Sequence, residues 1–135
     1  MMVAPVVENE NSRKIYFPEG GWFDFLTHEK YDGGKEYTLD VPLSRIPVFI
    51  KSGSIIALAK STLHTEDPES GKLTAWIFGK NAQPAILYEE QEAFDADPVK
   101  AEIHWNGDLK KGSIERSSSG TAATTYSVVD WKVVE

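Results

Sequence analysis

The feature that most constrains this chain is the shortness of its apolar runs. Each is soon interrupted by glycine, proline or polar residues. Nowhere do apolar residues recur at i, i+3, i+4 and i+7 for as long as ~12 residues, so no amphipathic helix of ordinary length is expected. Short strands at roughly 8–12-residue spacing, with turn signals between them, predict an all-β fold of antiparallel β-sandwich type.

Residues 41–58 form the most apolar segment. Pro47 suits the first residue or edge of a strand because it cannot donate to a ladder. Residues 48–51 read as one strand, Ser52 and Gly53 as a turn or bulge, and residues 54–58 as a second strand. Their apolar residues do not alternate, which predicts a core strand pair buried on both faces. Residues 2–7 read as an edge or entry strand. Residues 13–17, 35–41, 73–78, 84–88, 99–105, 112–117, 124–129 and 131–134 read as further strands. An aromatic strand over 22–26 would place Trp22, Asp24 and Leu26 on one face. Residues 27–34 and 89–94 read as loops, and Asn106 with Gly107 as a hairpin turn. The long polar stretch at 60–72 is the best candidate boundary between subdomains.

A chain of 135 residues is one ordinary domain or two very small ones. Its net charge of −7 argues against nucleic acid and against an anionic membrane as partners. With no cysteine, disulfide frameworks and thiolate sites are excluded. No apolar run approaches the ~20 residues of a membrane-spanning helix, and the first residues lack the zones of a secretory leader. The expectation is a soluble chain of unassigned localisation.

Candidates for chemistry are few. His28, His64 and His104 lie far apart, and none has a second ligand at metal spacing. Nucleophile-elbow, Walker and dinucleotide motifs are absent. No catalytic residue and no cofactor are expected. The densest carboxylate group is Glu89, Glu90, Glu92, Asp95 and Asp97. It is a weak candidate for calcium, which takes several oxygen ligands, and reads more simply as a solvated acidic loop. Of the tryptophans Trp22, Trp76, Trp105 and Trp131, most should serve the core. Trp22 and Trp105 stand beside turns and are the candidates for an exposed carbohydrate-stacking surface.

Several motifs, in order, resemble one family. Val3 to Val6, Arg13 to Gly20, Trp22 to Phe25, Tyr31 to Gly34, Pro42 to Ile56 and Leu87 to Glu90 are similar to the segment that follows the catalytic barrel in family 31 glycoside hydrolases, the α-glucosidases, α-xylosidases and relatives. The resemblance spans residues 2–97. It implies a proximal β-sandwich domain over 1–66 and a shortened distal one over 67–135, separate or packed as one unit. The nucleophile and acid/base aspartates of that family sit on the barrel, and no residue here matches them. The implied role is therefore a non-catalytic region that buttresses the barrel, its expected partner. The alternatives are a stand-alone carbohydrate-binding module, or an interaction domain that self-associates as a homo-dimer through the barrel-facing apolar patch. Two positions depart from the family pattern: Glu92 replaces a usual glycine, and Lys51 a usual arginine.

Overall fold

The computed structural model describes residues 1–7, 11–42, 44–64, 67, 69–89, 99–117 and 125–135. All regular structure among them is strand: β1 (Met2–Val3), β2 (Ser12–Phe17), β3 (Gly21–Asp24), β4 (Lys30–Asp32), β5 (Lys35–Asp40), β6 (Val48–Lys51), β7 (Ser54–Ala59), β8 (Lys72–Phe78), β9 (Ala85–Glu89), β10 (Val99–Asn106), β11 (Lys111–Arg116) and β12 (Ser127–Val134). The all-β expectation holds. The chain forms two compact units, Met1–Ser52 and Gly53–Glu135. Residues 53–59, grouped by sequence with the first domain, thus supply β7 to the second unit.

The segment 41–58 is two strands, as expected, but they do not pair with each other. β6 lies between β1 and β3, whereas β7 pairs with β8. The turn between them explains the parting. Ser52 N–H donates to Gly21 O at 2.8 Å, while Gly53 N–H donates to Phe78 O at 2.7 Å. Gly53 has φ +85°, open to glycine and costly for other residues. Adjacent amides therefore bond in different units.

In the first unit the order β1-β6-β3-β4 makes one sheet and β2-β5 a second. Strand β4 falls inside residues 27–34, which the sequence suggests as loop. It forms because the β3–β4 hairpin closes at Asp24 N–H to Glu29 O, 2.8 Å. Phe17 from β2 is fully buried and centres the core. It stacks on Tyr31 at 5.1 Å and meets the edges of Phe49 and Tyr37 at 4.8 and 5.5 Å, offset and edge-on geometries that aromatic quadrupoles favour. Gly33 is required by a close approach, because a Cβ there would lie 2.0 Å from Pro18 O.

In the second unit the sheets are β11-β10-β9 and β12-β8-β7. Ile55, Ala75, Ile77 and Ile103 form the core, with Leu87, Trp105, Ile114, Val128 and Trp131 packed against it. Two expectations change here. Residues 127–129 and 131–134, read from the sequence as parts of two strands, join into the single strand β12, with an irregularity between Val128 and Asp130. β12 also runs parallel to β8, whereas the other paired strands are antiparallel. A parallel pair needs a long crossover, and the whole β9–β11 sheet lies within this connection. The β10–β11 hairpin is longer than a two-residue Asn-Gly turn. Asn106 pairs with Lys111, so the loop spans residues 107–110. Asn106 Oδ1 accepts the N–H groups of Asp108 and Leu109 at 3.1 and 3.0 Å, which organises the loop from its first flank.

Candidate functional site

Among the described residues, Asp24 and Glu89 are the buried charged groups, and an arginine occupies each. Asp24 ends β3 and turns the chain into the hairpin. Its Oδ1 accepts the N–H groups of Leu26 and Thr27, both at 2.9 Å, and Arg45 Nη2 donates to Oδ2. A carboxylate inside an aromatic strand is tolerated there because three donors replace its water. Tyr31 lies nearby and donates its hydroxyl to Glu29 Oε2 at 2.8 Å. Burial, reinforced by Glu29, pushes the Tyr31 phenol up to about 12. Asp24, Glu29, Tyr31, Asp40 and Arg45 line a cavity of about 230 Å³ in this unit.

Glu89 ends β9 and is 1% exposed. Arg116 Nε and Nη2 donate to it at 2.9–3.1 Å, and Tyr126 N–H adds a bond at 2.8 Å. Burial raises the Glu89 carboxyl, but Arg116 and the Tyr126 amide outweigh burial and leave it below the ordinary glutamate value. The proposed calcium ligand Glu89 is thus engaged by protein donors. Glu90, Glu92, Asp95 and Asp97 lie outside the described residues. Among the described residues no three His, Asp or Glu side chains gather at metal-binding distance. His64 is exposed, and His104 Nε2 faces Glu102 at 3.5 Å.

The two tryptophans singled out for carbohydrate differ. Trp22 is 7% exposed, belongs to the Phe17 cluster and donates Nε1–H to Pro18 O at 2.8 Å. The expected exposure of Trp22 is therefore corrected, because the turn at its flank closes over the ring instead of leaving it open. Trp105 is half-buried and lines a cavity of about 190 Å³ with Lys80, Gly107, Lys110, Val133 and Glu135. Its ring stacks on Trp131 at 5.7 Å. That contact depends on Gly112, which pairs with Trp105 and whose Cβ would stand 2.2 Å from the Trp131 ring. Sequence reasoning missed Arg45 and Arg116, while Trp131, named among the tryptophans expected mostly in the core, does pack against it. Only Asp24, a charge among aromatic residues, hinted that a buried cation was needed.

Residues 1–56 match the family model for the glycosyl hydrolase family 31 C-terminal domain. The chain carries the C-terminal domain of family 31. Alpha-glucosidase 2 of Bacillus thermoamyloliquefaciens is 34% identical over 93 residues, which is 67% of this chain and 12% of that protein. The family 31 α-xylosidase of Xanthomonas citri superposes with a TM-score of 0.80 at 25% identity, over 98% of this chain and 15% of the enzyme. The family 31 dextranase of Flavobacterium johnsoniae gives 0.66 at 30% identity, over 89% and 16%. This chain therefore spans less than a fifth of the length of each of these enzymes. The motifs at 13–25 and 42–56 that carry the resemblance fall within the matched region.

Proposed function

We propose that this chain is an accessory, non-catalytic β region of an α-glycoside hydrolase and that it buttresses the catalytic barrel. One observation carries the reading: large apolar side chains stand exposed in the first unit, where the family match lies. Val3, Leu26 and Ile46 are 51%, 63% and 59% exposed. They flank the start of one strand. Val3 pairs with Val48, Phe25 N–H donates to Val48 O at 2.8 Å, and Ile46 precedes that residue by two positions. Exposed apolar residues gathered in this way suit a docking surface better than a solvated one. The two buried carboxylates support the same reading, since their arginines leave neither one open to a substrate.

The test separates support from catalysis. The purified chain should leave aryl α-glucosides and aryl α-xylosides uncleaved. It should bind the barrel portion of the Xanthomonas citri α-xylosidase when that enzyme lacks the segment matched here. Val3→Lys with Ile46→Lys should abolish the association while circular dichroism stays unchanged. Hydrolysis by the chain alone, or association indifferent to the double substitution, defeats the proposal. A concentration-dependent mass in sedimentation that the same substitutions abolish would replace it with self-association.

A further inference from the structure

We infer that the cavity beside Trp105 is a binding site for a single neutral pyranose ring. The site belongs wholly to the second unit and does not rest on the barrel-supporting role.

Four segments build the cavity: Lys80 from the β8–β9 connection, Trp105 from the end of β10, Gly107 and Lys110 from the hairpin loop, and Val133 with Glu135 from the end of the chain. At about 190 Å³ it is smaller than the ~300–1,000 Å³ of pockets for drug-sized ligands, which selects one ring over a chain of rings. The indole Nε1 is buried without a hydrogen-bond partner among the described residues. Trp105 therefore offers the cavity carbon surface and not a donor, and Val133 adds to it. Such a wall takes the apolar C–H face of a sugar.

The polar groups complete the match. Lys80 and Lys110 bring ammonium donors, and Glu135 brings a carboxylate acceptor. A ligand that both donates and accepts satisfies this set, as sugar hydroxyls do. Because Asp108 pairs with Lys80, Lys110 and Glu135 leave the lining close to charge balance, and neither an anion nor a cation is favoured. Lys80 is held from one side by Asp108 at 3.0 Å. The platform is placed in advance, because Trp131 backs Trp105 over the space that Gly112 leaves open.

The chain labelled with ¹⁵N gives one indole resonance per tryptophan, with Trp105 assigned by its loss in Trp105→Phe. Titration with D-glucose should move the Trp105 indole peak and the backbone amides of Gly107 and Lys110. Half-saturation should fall in the millimolar range, about 1–20 mM. D-glucuronate should bind more weakly. Lys110→Ala should weaken glucose binding about fivefold, the effect of one lost hydrogen bond, with the indole peaks of the free protein in place. No movement at about 100 mM glucose, tighter binding of glucuronate, or titration unchanged by Lys110→Ala overturns the inference. Should the barrel association fail while these shifts appear, the sugar site stands alone.

Discussion

Arg116 lays two of its nitrogens against the carboxylate of Glu89, and the pair closes the second unit from inside. Glu89 ends β9, Arg116 ends β11, and the Tyr126 amide on the same carboxylate lies next to the start of β12. Three strand ends thus meet on one buried anion, and Arg116 also donates to Tyr126 O. These strands belong to both sheets of the unit, so the pair acts as a fastener between layers.

Removing one partner strands the other charge. Arg116→Met should cost about 3 kcal/mol in urea unfolding, because the Glu89 carboxylate stays buried without its cation. Arg116→Met with Glu89→Leu should recover much of that loss. A double variant as unstable as the single one would contradict the argument.

The same pair sets an acid limit. The folded Glu89 carboxyl lies below its unfolded value, so its contribution is complete at neutral pH. It is lost as pH falls through the depressed folded value. Stability measured from pH 7 downward should decline, and Glu89→Gln should decline less steeply over the same range.

Tyr31 sets an alkaline limit. Its folded phenol, at about 12, lies above the ordinary value of 10.0. The neutral form is thus favoured in the folded state, and its contribution is present below pH ~10 and lost between ~10 and ~12. Tyr31→Phe should flatten this limb of the stability curve at a cost of about 1 kcal/mol at neutral pH, for the lost bond to Glu29.

Two neighbouring glycines should respond differently. Gly33→Ala drives a Cβ to 2.0 Å from a backbone oxygen and should cost more than about 3 kcal/mol. Gly34→Ala meets nothing within 4 Å and suffers only its φ of +73°, a penalty of about 1 kcal/mol. Chemical denaturation of the two variants checks the order.

Phe17→Leu tests the first core. Phe17 is fully buried among Trp22, Tyr31, Tyr37 and Phe49. Loss of its ring contacts and the space left should lower stability by about 2 kcal/mol. A change within about 0.5 kcal/mol would mean that the cluster repacks.

Local chemistry by itself determined most of the stretches that become strands, β4 being an exception made by its hairpin. The β-branched and aromatic residues at 13–17, 48–51 and 73–78, and the glycines and prolines between runs, act over a few residues and need no distant partner. The motifs at 13–25 and 42–56 likewise belong to the linear order, and they pointed to the family before any contact was visible. Pairing did not follow from the same information. Residues 48–51 and 54–58 carry similar apolar patterns, and only the opposed bonds of Ser52 and Gly53 send β6 and β7 to different sheets. Register across a long separation was equally hidden. Arg116 stands 27 residues from Glu89, and neither residue type alone predicts a buried ion pair. Trp22 and Trp105 look alike beside their turns. Tertiary structure buried the first under Pro18 and its own cluster and left the second beside a cavity, because burial depends on which strands cover a ring and not on the residues next to it.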